Sequence, residues 1–437
     1  MSLPVYSAYK DSGSTLLGAV PAHWPVVQFK RVARLAYGAA LPTESRNDAG
    51  SLLAYGSNGP VGCHDVANTK APVIIVGRKG SYGALNWSDA PVFAIDTAYF
   101  VDQSMADCDL RWLYWAYYVA NFAAFSQDTG VPGLARELVH DMHFVRPPSA
   151  EQLAIAAFLD RETAKIDDLI TQQERLIALL EEKKQATISH AVTKGLDPSV
   201  PMKDSGIEWL GEIPAHWHIT RIKYVTRTLE QGWSPQCDGY PVDSSEAWGV
   251  LKVGCVNGGR FNPNENKTLP LDLEPIPNLG LRAGDVLVSR ANTRELVGSA
   301  AVVLVDHPRL MLCDKLYRLR MNQVRCLPEF LARFLGSNAA REQIGLAAGG
   351  ASSSMLNISQ DAIMDLPLPL PSLREQKDIL GSLDRHCRDN ELLTAEVEHG
   401  MALLKERRAA LISAAVTGKI DVRGFVNADL AMQEAAE

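Results

Sequence analysis

From Ala150 to about Val192 the chain has neither glycine nor proline. Ile155, Leu159, Ile166, Leu169, Leu176 and Leu180 recur there at spacings of three, four and seven, with charged residues between them. That pattern predicts a long helix with a coiled-coil-like apolar seam. About 42 helical residues would span roughly 60 Å, more than a compact domain, so the helix is expected to project as a rod. A second seam follows at Ile379, Leu383, Leu393, Val397 and Leu404. Glu162, Gln173 and Asn390 interrupt the seams, and Gly381 and Gly400 weaken the second helix. Gly195 and Pro198 end the first helix, and Gly418 and Gly424 follow the second. Elsewhere the pattern shortens. Val73–Val76, Val92–Ile95, Val250–Val253, Val286–Val288 and Ala301–Val305 are β-rich runs between Gly, Pro and Asn turns. Leu110–Ala124 and Leu327–Leu335 read as shorter helices. The regions outside the long helices are thus α+β or mostly β.

These regions are related to one another. KDSGSTLLGAVPAHWPVVQFKRV (10–32) lies over KDSGIEWLGEIPAHWHITRIKYV (203–225) at an offset of 193, with 12 of 23 positions identical. A second repeat has an offset of 224. EQLAIAAFLDR (151–161) lies over EQKDILGSLDR (375–385), and SHAVTKGLD (189–197) over SAAVTGKID (413–421). The chain is a duplicated unit with similar ends and divergent middles. A long helix that is polar on one face needs a partner for the other, and the nearest partner is the second copy in the same chain. Antiparallel packing of the two helices would put one divergent domain at each end of the rod, related by a pseudo-two-fold axis.

Composition fits this reading. With 437 residues, 46% hydrophobic and 22% charged, the chain is long enough for two or more globular domains. No run approaches 18 apolar residues, and MSLPVYSAYKDSGSTLL shows no secretory signal. The cysteines at 63, 108, 237, 255, 313, 326 and 387 are scattered without a CxxC, against a zinc site or a disulfide framework, and point to a reducing cytoplasm. The net charge of −8 argues against nucleic acid on its face, but 148–200 and 371–437 each carry −3. The remaining segments are near neutral and leave room for local basic faces.

Taken together, these motifs resemble the specificity (S) subunits of type I restriction–modification systems. The resemblance rests on KDSGIEWLGEIPAHW (203–217), on the proline-then-Glu-Gln helix starts at Glu151 and Glu375, and on the alternation of variable and similar segments. It covers nearly the whole chain. Copy one departs from it at Ser14-Thr15-Leu16, where copy two has Ile207-Glu208-Trp209. The resemblance implies an α+β fold with an internal pseudo-two-fold repeat, in which two globular DNA target-recognition domains are joined by two long antiparallel coiled-coil helices. The expected boundaries are 1–147 for the first recognition domain and 148–200 for the first spacer helix and linker. They are 201–370 for the second recognition domain, 371–425 for the second spacer helix and 426–437 for a tail. It further implies double-stranded DNA as ligand, each domain reading half of a bipartite asymmetric site. Two methyltransferase (M) subunits would dock on the helices and two restriction (R) subunits would join them in a cytoplasmic, phage-defence complex with no membrane contact. The chain itself would bind no cofactor and catalyse nothing. S-adenosylmethionine would belong to M, and ATP and Mg to R. A non-catalytic coiled-coil adaptor of another DNA-modification complex is the alternative.

The residues agree with a non-catalytic role. There is no GxxxxGK[ST] loop, no Asn/Asp-Pro-Pro-aromatic tetrapeptide and no metal spacing of histidines. Candidate DNA contacts lie in loops. Arg78, Lys79, Ser81 and Tyr82 follow a strand in VGRKGSYG, where glycine allows close approach and Arg can bond guanine edges or phosphate. Arg290, Asn292, Thr293 and Arg294 form the comparable loop of copy two, and Asn can read adenine. Ser57 and Asn58 occupy a tight turn. A second loop precedes each long helix, offering Arg136 in the first copy and Ser353, Ser354 and Asn357 in the second. Each of these is either a DNA contact or an ordinary hairpin or packing loop. Trp24 and Trp217, each after Pro-Ala-His, read as buried anchors with His23 and His216 as hydrogen-bonded structural residues, rather than as stacking or catalytic groups. Glu181–Lys184 and Lys405–Arg408 read as solvated helix faces, or as part of the M dock.

Overall fold

The computed structural model describes residues 3–14, 17–42, 47, 49–122, 133–244, 246–352 and 355–425. By compactness they divide into two units. One comprises the described residues up to Gln173 together with those from Glu398, and the other is Glu174–Val397. Each long helix, Ser149–Lys194 (46 residues) and Leu373–Val416 (44 residues), therefore contributes to both units.

The first unit is built on an antiparallel sheet. Its strands are β1 (Ala36–Tyr37), β4 (Val73–Gly77), β5 (Leu85–Ser88) and β6 (Ala98–Asp102), in the order β1-β6-β4-β5. The hairpin β2 (Leu52–Gly56) and β3 (Gly59–His64) belongs to a separate small sheet. β4 and β6 are buried on both faces. Ile74, Val76, Tyr99 and Val101 join a core with Trp24, the helix Leu110–Ala120 and the long-helix residues Ile155, Leu159, Ile412 and Val416. Val73, Ile75, Ala98 and Phe100 face a smaller cluster on the other side. Double-sided burial explains why VIIV reads as a continuous apolar run rather than an alternation. The helix starting at Leu110 is capped by Asp109, whose side chain accepts from Trp112 N–H, and Asn121 ends it in the left-handed region at φ 47°. It is shorter than the Leu110–Ala124 expected, and Ala123 and Ala124 lie outside the described residues.

The second unit has the same sheet order. β7 (Thr226–Gln231), β8 (Asp285–Ser289), β10 (Ala300–Val302) and β11 (Leu316–Met321) form an antiparallel sheet in the order β7-β11-β8-β10. Val286, Val288, Tyr317 and Leu319 face a core containing Trp217, the helix Pro328–Leu335 and the long-helix residues Ile188, Val192, Ile379 and Leu383. Leu287, Ala301 and Leu316 face a second cluster. A three-stranded ribbon completes the candidate loops: β9 (Ala291–Asn292), β12 (Gly349–Ser352) and β13 (Met355–Asn357), in the order β9-β13-β12.

Within each unit the two long helices run in opposite directions. In the first, Arg408 Nε and Nη2 bond the Asp167 carboxylate at 2.8 and 3.1 Å. In the second, Asn390 Nδ2 donates to Leu180 O at 3.1 Å. The seams bury Ile155, Leu159, Ile166, Leu180, Ile379, Leu383 and Val397, but Leu169, Leu176 and Leu393 stay exposed. A pair of helices covers only one stripe on each partner, so mid-helix residues just off it remain in solvent. Arg408 is a correction to the reading of 405–408 as a solvated face, since it is ion-paired and largely shielded.

Candidate functional site

Strand β4 delivers Arg78 to the end of the sheet, and Gly77 makes the loop possible. A Cβ at Gly77 would sit 2.1 Å from Ser81 O and 2.6 Å from Ser57 O, so only glycine lets the 78–83 loop fold back beside the Ser57–Asn58 turn. Arg78 N–H donates to Thr97 O (2.9 Å), and its Nη1 donates to Asp96 O (2.9 Å). The Arg78 carbonyl accepts from Leu134 N–H (2.9 Å), and Lys79 bridges Gly133. Leu134 O in turn accepts from Tyr99 OH (2.9 Å). Burial pushes the Tyr99 phenol up to about 12, with its neighbour Tyr37 adding to the rise, so it stays a neutral donor. Arg136, at the start of the helix Arg136–Asp141, lies beside the same surface. The guanidinium carbons of Arg78 and Arg136 stand 4.9 and 5.0 Å from the centre of the Tyr37 ring. The structure thus brings Arg78 and Arg136 together at Tyr37, a residue the sequence reading missed, while Ser57 and Ser81 meet beside Gly77 and Lys79 pairs with Gly133. Asn58 is exposed at the hairpin tip. Tyr82 is half-buried, one side packed against the core.

Four of these hydrogen bonds have counterparts in the second unit. Arg290 N–H donates to Lys315 O (2.9 Å) and its Nη1 to Asp314 O (3.2 Å). The Arg290 carbonyl accepts from Ile358 N–H (3.0 Å), and Ile358 O accepts from Tyr317 OH (3.0 Å). Pairing of β9 with β13 sets Ala291 opposite Asn357 and Asn292 opposite Leu356. Asn357 and Arg294 are exposed. Asn292 Oδ1 accepts from Thr293 N–H (2.9 Å), and its amide nitrogen is buried without a hydrogen-bond partner among the described residues. Thr293 is occupied with a tight turn, its carbonyl accepting from Leu296 N–H and Val297 N–H at 3.1 and 2.8 Å. Ser353 and Ser354, and residues 129–132 of the equivalent loop, lie outside the described residues.

The two Pro-Ala-His-Trp motifs sit elsewhere in each unit, at the start of a long helix. Trp24 and Trp217 are 0% and 1% exposed. Trp24 Nε1–H donates to Glu151 Oε2 (2.9 Å), and Trp217 Nε1–H to Glu375 Oε1 (3.0 Å). His23 Nε2 and His216 Nε2 bond the same carboxylates at 2.7 and 3.0 Å. Both indoles are therefore buried anchors. The adjacent glutamines hold the next helix: Gln152 Oε1 accepts from Asp109 N–H and Gln376 Oε1 from Leu327 N–H, both at 2.8 Å. These bonds account for the Glu-Gln pair shared by the two repeats. Among the described residues no group of three or more His, Cys, Asp or Glu side chains is arranged to hold a metal ion. No helix among them is long and apolar enough to cross a membrane.

No family model matches the sequence. The chain is 28% identical over 209 residues to the type I restriction enzyme EcoEI specificity subunit of Escherichia coli, covering 48% of this chain and 35% of that one. It is 24% identical over 278 residues to the EcoKI specificity subunit of E. coli K12, covering 63% and 57%. The chain thus spans about a third and just over half of these curated relatives' length. A solved structure concerned with complex assembly and conformational transition of the type I R-M system contains a chain that superposes with a TM-score of 0.64 at 15% identity, covering 92% of this chain and 99% of that one. In sequence the chain is a homologue of the type I restriction enzyme specificity subunits, and in fold it matches a chain of a type I restriction–modification system.

Proposed function

We propose that this chain is the DNA sequence-specificity subunit of a type I restriction–modification complex and is itself non-catalytic. Residues 1–147 and 201–370 serve as target-recognition domains, each reading one half of a bipartite asymmetric site. Residues 148–200 and 371–425 serve as spacer helices of an antiparallel coiled coil, with 426–437 as a tail, and the two halves of the chain obey a pseudo-two-fold repeat. The observation that carries this reading is the doubled arginine loop. Arg78 and Arg290 are each pinned through Nη1 to a backbone carbonyl, at the end of a central strand crossed by the segment that precedes a long helix. An arginine held in one orientation on an otherwise exposed loop is suited to a bidentate contact with guanine or phosphate. Arg78, Lys79, Ser57, Asn58, Ser81, Tyr82 and Arg136 form the contact set of one half-site. Arg290, Asn292, Thr293, Arg294, Ser353, Ser354 and Asn357 form that of the other.

The exposed leucines 169, 176, 179, 392, 393 and 403 on the long helices suit a protein partner. We assign them to two M subunits, which bring S-adenosylmethionine. Two R subunits bring ATP and Mg, and the complex works in the cytoplasm on double-stranded DNA. The test is co-expression with the M subunit, followed by selection from a pool of random duplexes. A complex with two M per chain that enriches a two-part motif supports the reading. A complex that forms but selects no DNA makes the chain a coiled-coil adaptor instead.

A further inference from the structure

One edge position in each sheet lies beside the pinned arginine. Tyr37 ends β1 and Gln231 ends β7, and the strand register sets Tyr37 opposite Tyr99 and Gln231 opposite Tyr317. Tyr99 and Tyr317 are the residues whose hydroxyls hold Leu134 and Ile358 in the candidate loops. A glycine follows each position. A Cβ on Gly38 would lie 2.0 Å from Ile95 O, and one on Gly232 1.9 Å from Leu312 O. Backbone therefore passes over backbone at the same place in both units, and residue 37 or 231 is held beside the pinned arginine. In the first unit the Tyr37 ring, 46% exposed, lies about 5 Å from the guanidinium carbons of Arg78 and Arg136. In the second, Gln231 is exposed and its Nε2 donates to Asp314 O at 2.9 Å, the same carbonyl that receives Arg290 Nη1. The two positions thus share geometry and differ in chemistry, which is what a specificity position requires.

We propose that Tyr37 and Gln231 are equivalent specificity-determining positions, each reading a base in its own half-site; the proposal rests on the DNA-reading function above. Tyr37 presents a ring held by cation–π contacts, able to pack on a base or a thymine methyl. Gln231 keeps Oε1 and one amide hydrogen free beyond its bond to Asp314 O, the pair of groups that matches adenine N6 and N7. Beside it, the Asp314 carboxylate accepts from Ser234 Oγ, and Arg290 keeps the contact assigned to it above.

The test uses the full chain co-expressed with the M subunit, read out by sequencing the methylated motif. Arg78→Ala and Arg290→Ala first mark which half belongs to which unit. Tyr37→Ala is expected to relax discrimination at least tenfold at one or two bases of the Arg78 half only, whereas Tyr37→Phe keeps the ring and the motif. Gln231→Glu, which removes the donors to Asp314 O and to adenine N7 alike, should lose adenine in the Arg290 half. Melting temperatures equal to the parent's confirm that folding is intact. An unchanged motif in both Tyr37→Ala and Gln231→Glu, or damage spread over both halves, overturns the proposal while leaving the function standing. A parent complex that methylates no two-part motif overturns both.

Discussion

Glu151 accepts from a buried indole, an imidazole and, through Tyr6 OH at 2.9 Å, a phenol. Burial and the neighbouring carboxylate push the Tyr6 phenol far above its ordinary value, so it remains a donor. Glu151→Ala strands the Trp24 N–H in the core, and a buried donor left unmade costs about 1–3 kcal/mol. The expected lowering of the melting temperature is read by calorimetry, with Glu375→Ala giving the matching loss through Trp217. His140 carries a pH signature. Leu35 N–H donates to its Nε2 (3.1 Å), a bond that exists only while the ring is neutral. Burial, and then the nearby Arg136 charge, hold its pKa below the usual imidazole value. The unfolded chain therefore binds this proton more readily than the folded one, so the stabilisation is complete above the ordinary histidine pKa and is lost as pH falls through the folded value. Thermal melts from pH 7.5 to 5 should show declining stability. His140→Gln, whose oxygen can accept the same N–H, should decline less steeply; an identical slope refutes the assignment. The Pro-Ala-His-Trp motif was legible from the repeat, but its carboxylate partner lies 128 residues beyond His23, and no local pattern connects them.

Among the elements, glycine has opposite meanings along one helix. Gly381 and Gly400 lie inside the second long helix with open space where a Cβ would stand. Gly400→Ala removes backbone freedom from the unfolded chain and should stabilise by about 0.5–1 kcal/mol in chemical denaturation. Gly418, just past the end of that helix, has φ +76°, and a Cβ there would meet Pro21 Cδ at 2.4 Å and Trp24 Cζ3 at 2.7 Å. Gly418→Ala should therefore destabilise in the same assay. Sequence periodicity found both helices and most central strands, since period and burial are local properties of a segment. It overran at Ala301–Val305, because Leu304 and Val305 leave the sheet and are exposed despite being apolar.

For the whole molecule, the decisive prediction concerns the proposed spacer. Four residues inserted in each long helix, after Gln173 and after Val397, add about 6 Å of rise and about 400° of turn, so the seams keep nearly the same face. With base pairs stacked at roughly 3.4 Å, the methylated motif should keep both half-sites and gain one or two bases between them. An active complex with an unchanged gap would show that the helices do not measure it. The half-sites should likewise fail separately: Arg78→Ala alters one and Arg290→Ala the other, with losses of about 1–3 kcal/mol where a base contact is removed and a uniform, salt-flattened weakening where the contact is to phosphate.

The sequence alone determined that the chain is a duplicated unit, that its similar ends are long helices and that its arginine loops occur twice. Identity at a fixed offset and helical period survive without knowledge of any distant contact. Only the tertiary structure decided which loop residues share a surface. It set Gly133–Arg136 against Arg78 and Lys79, turned Tyr82 toward the core, committed Thr293 to a turn and brought Tyr37 and Gln231 beside the arginines. Those choices rest on backbone hydrogen bonds between segments far apart in the chain, and on glycines whose missing side chains let two strands touch. Neither leaves a periodic trace in the order of residues.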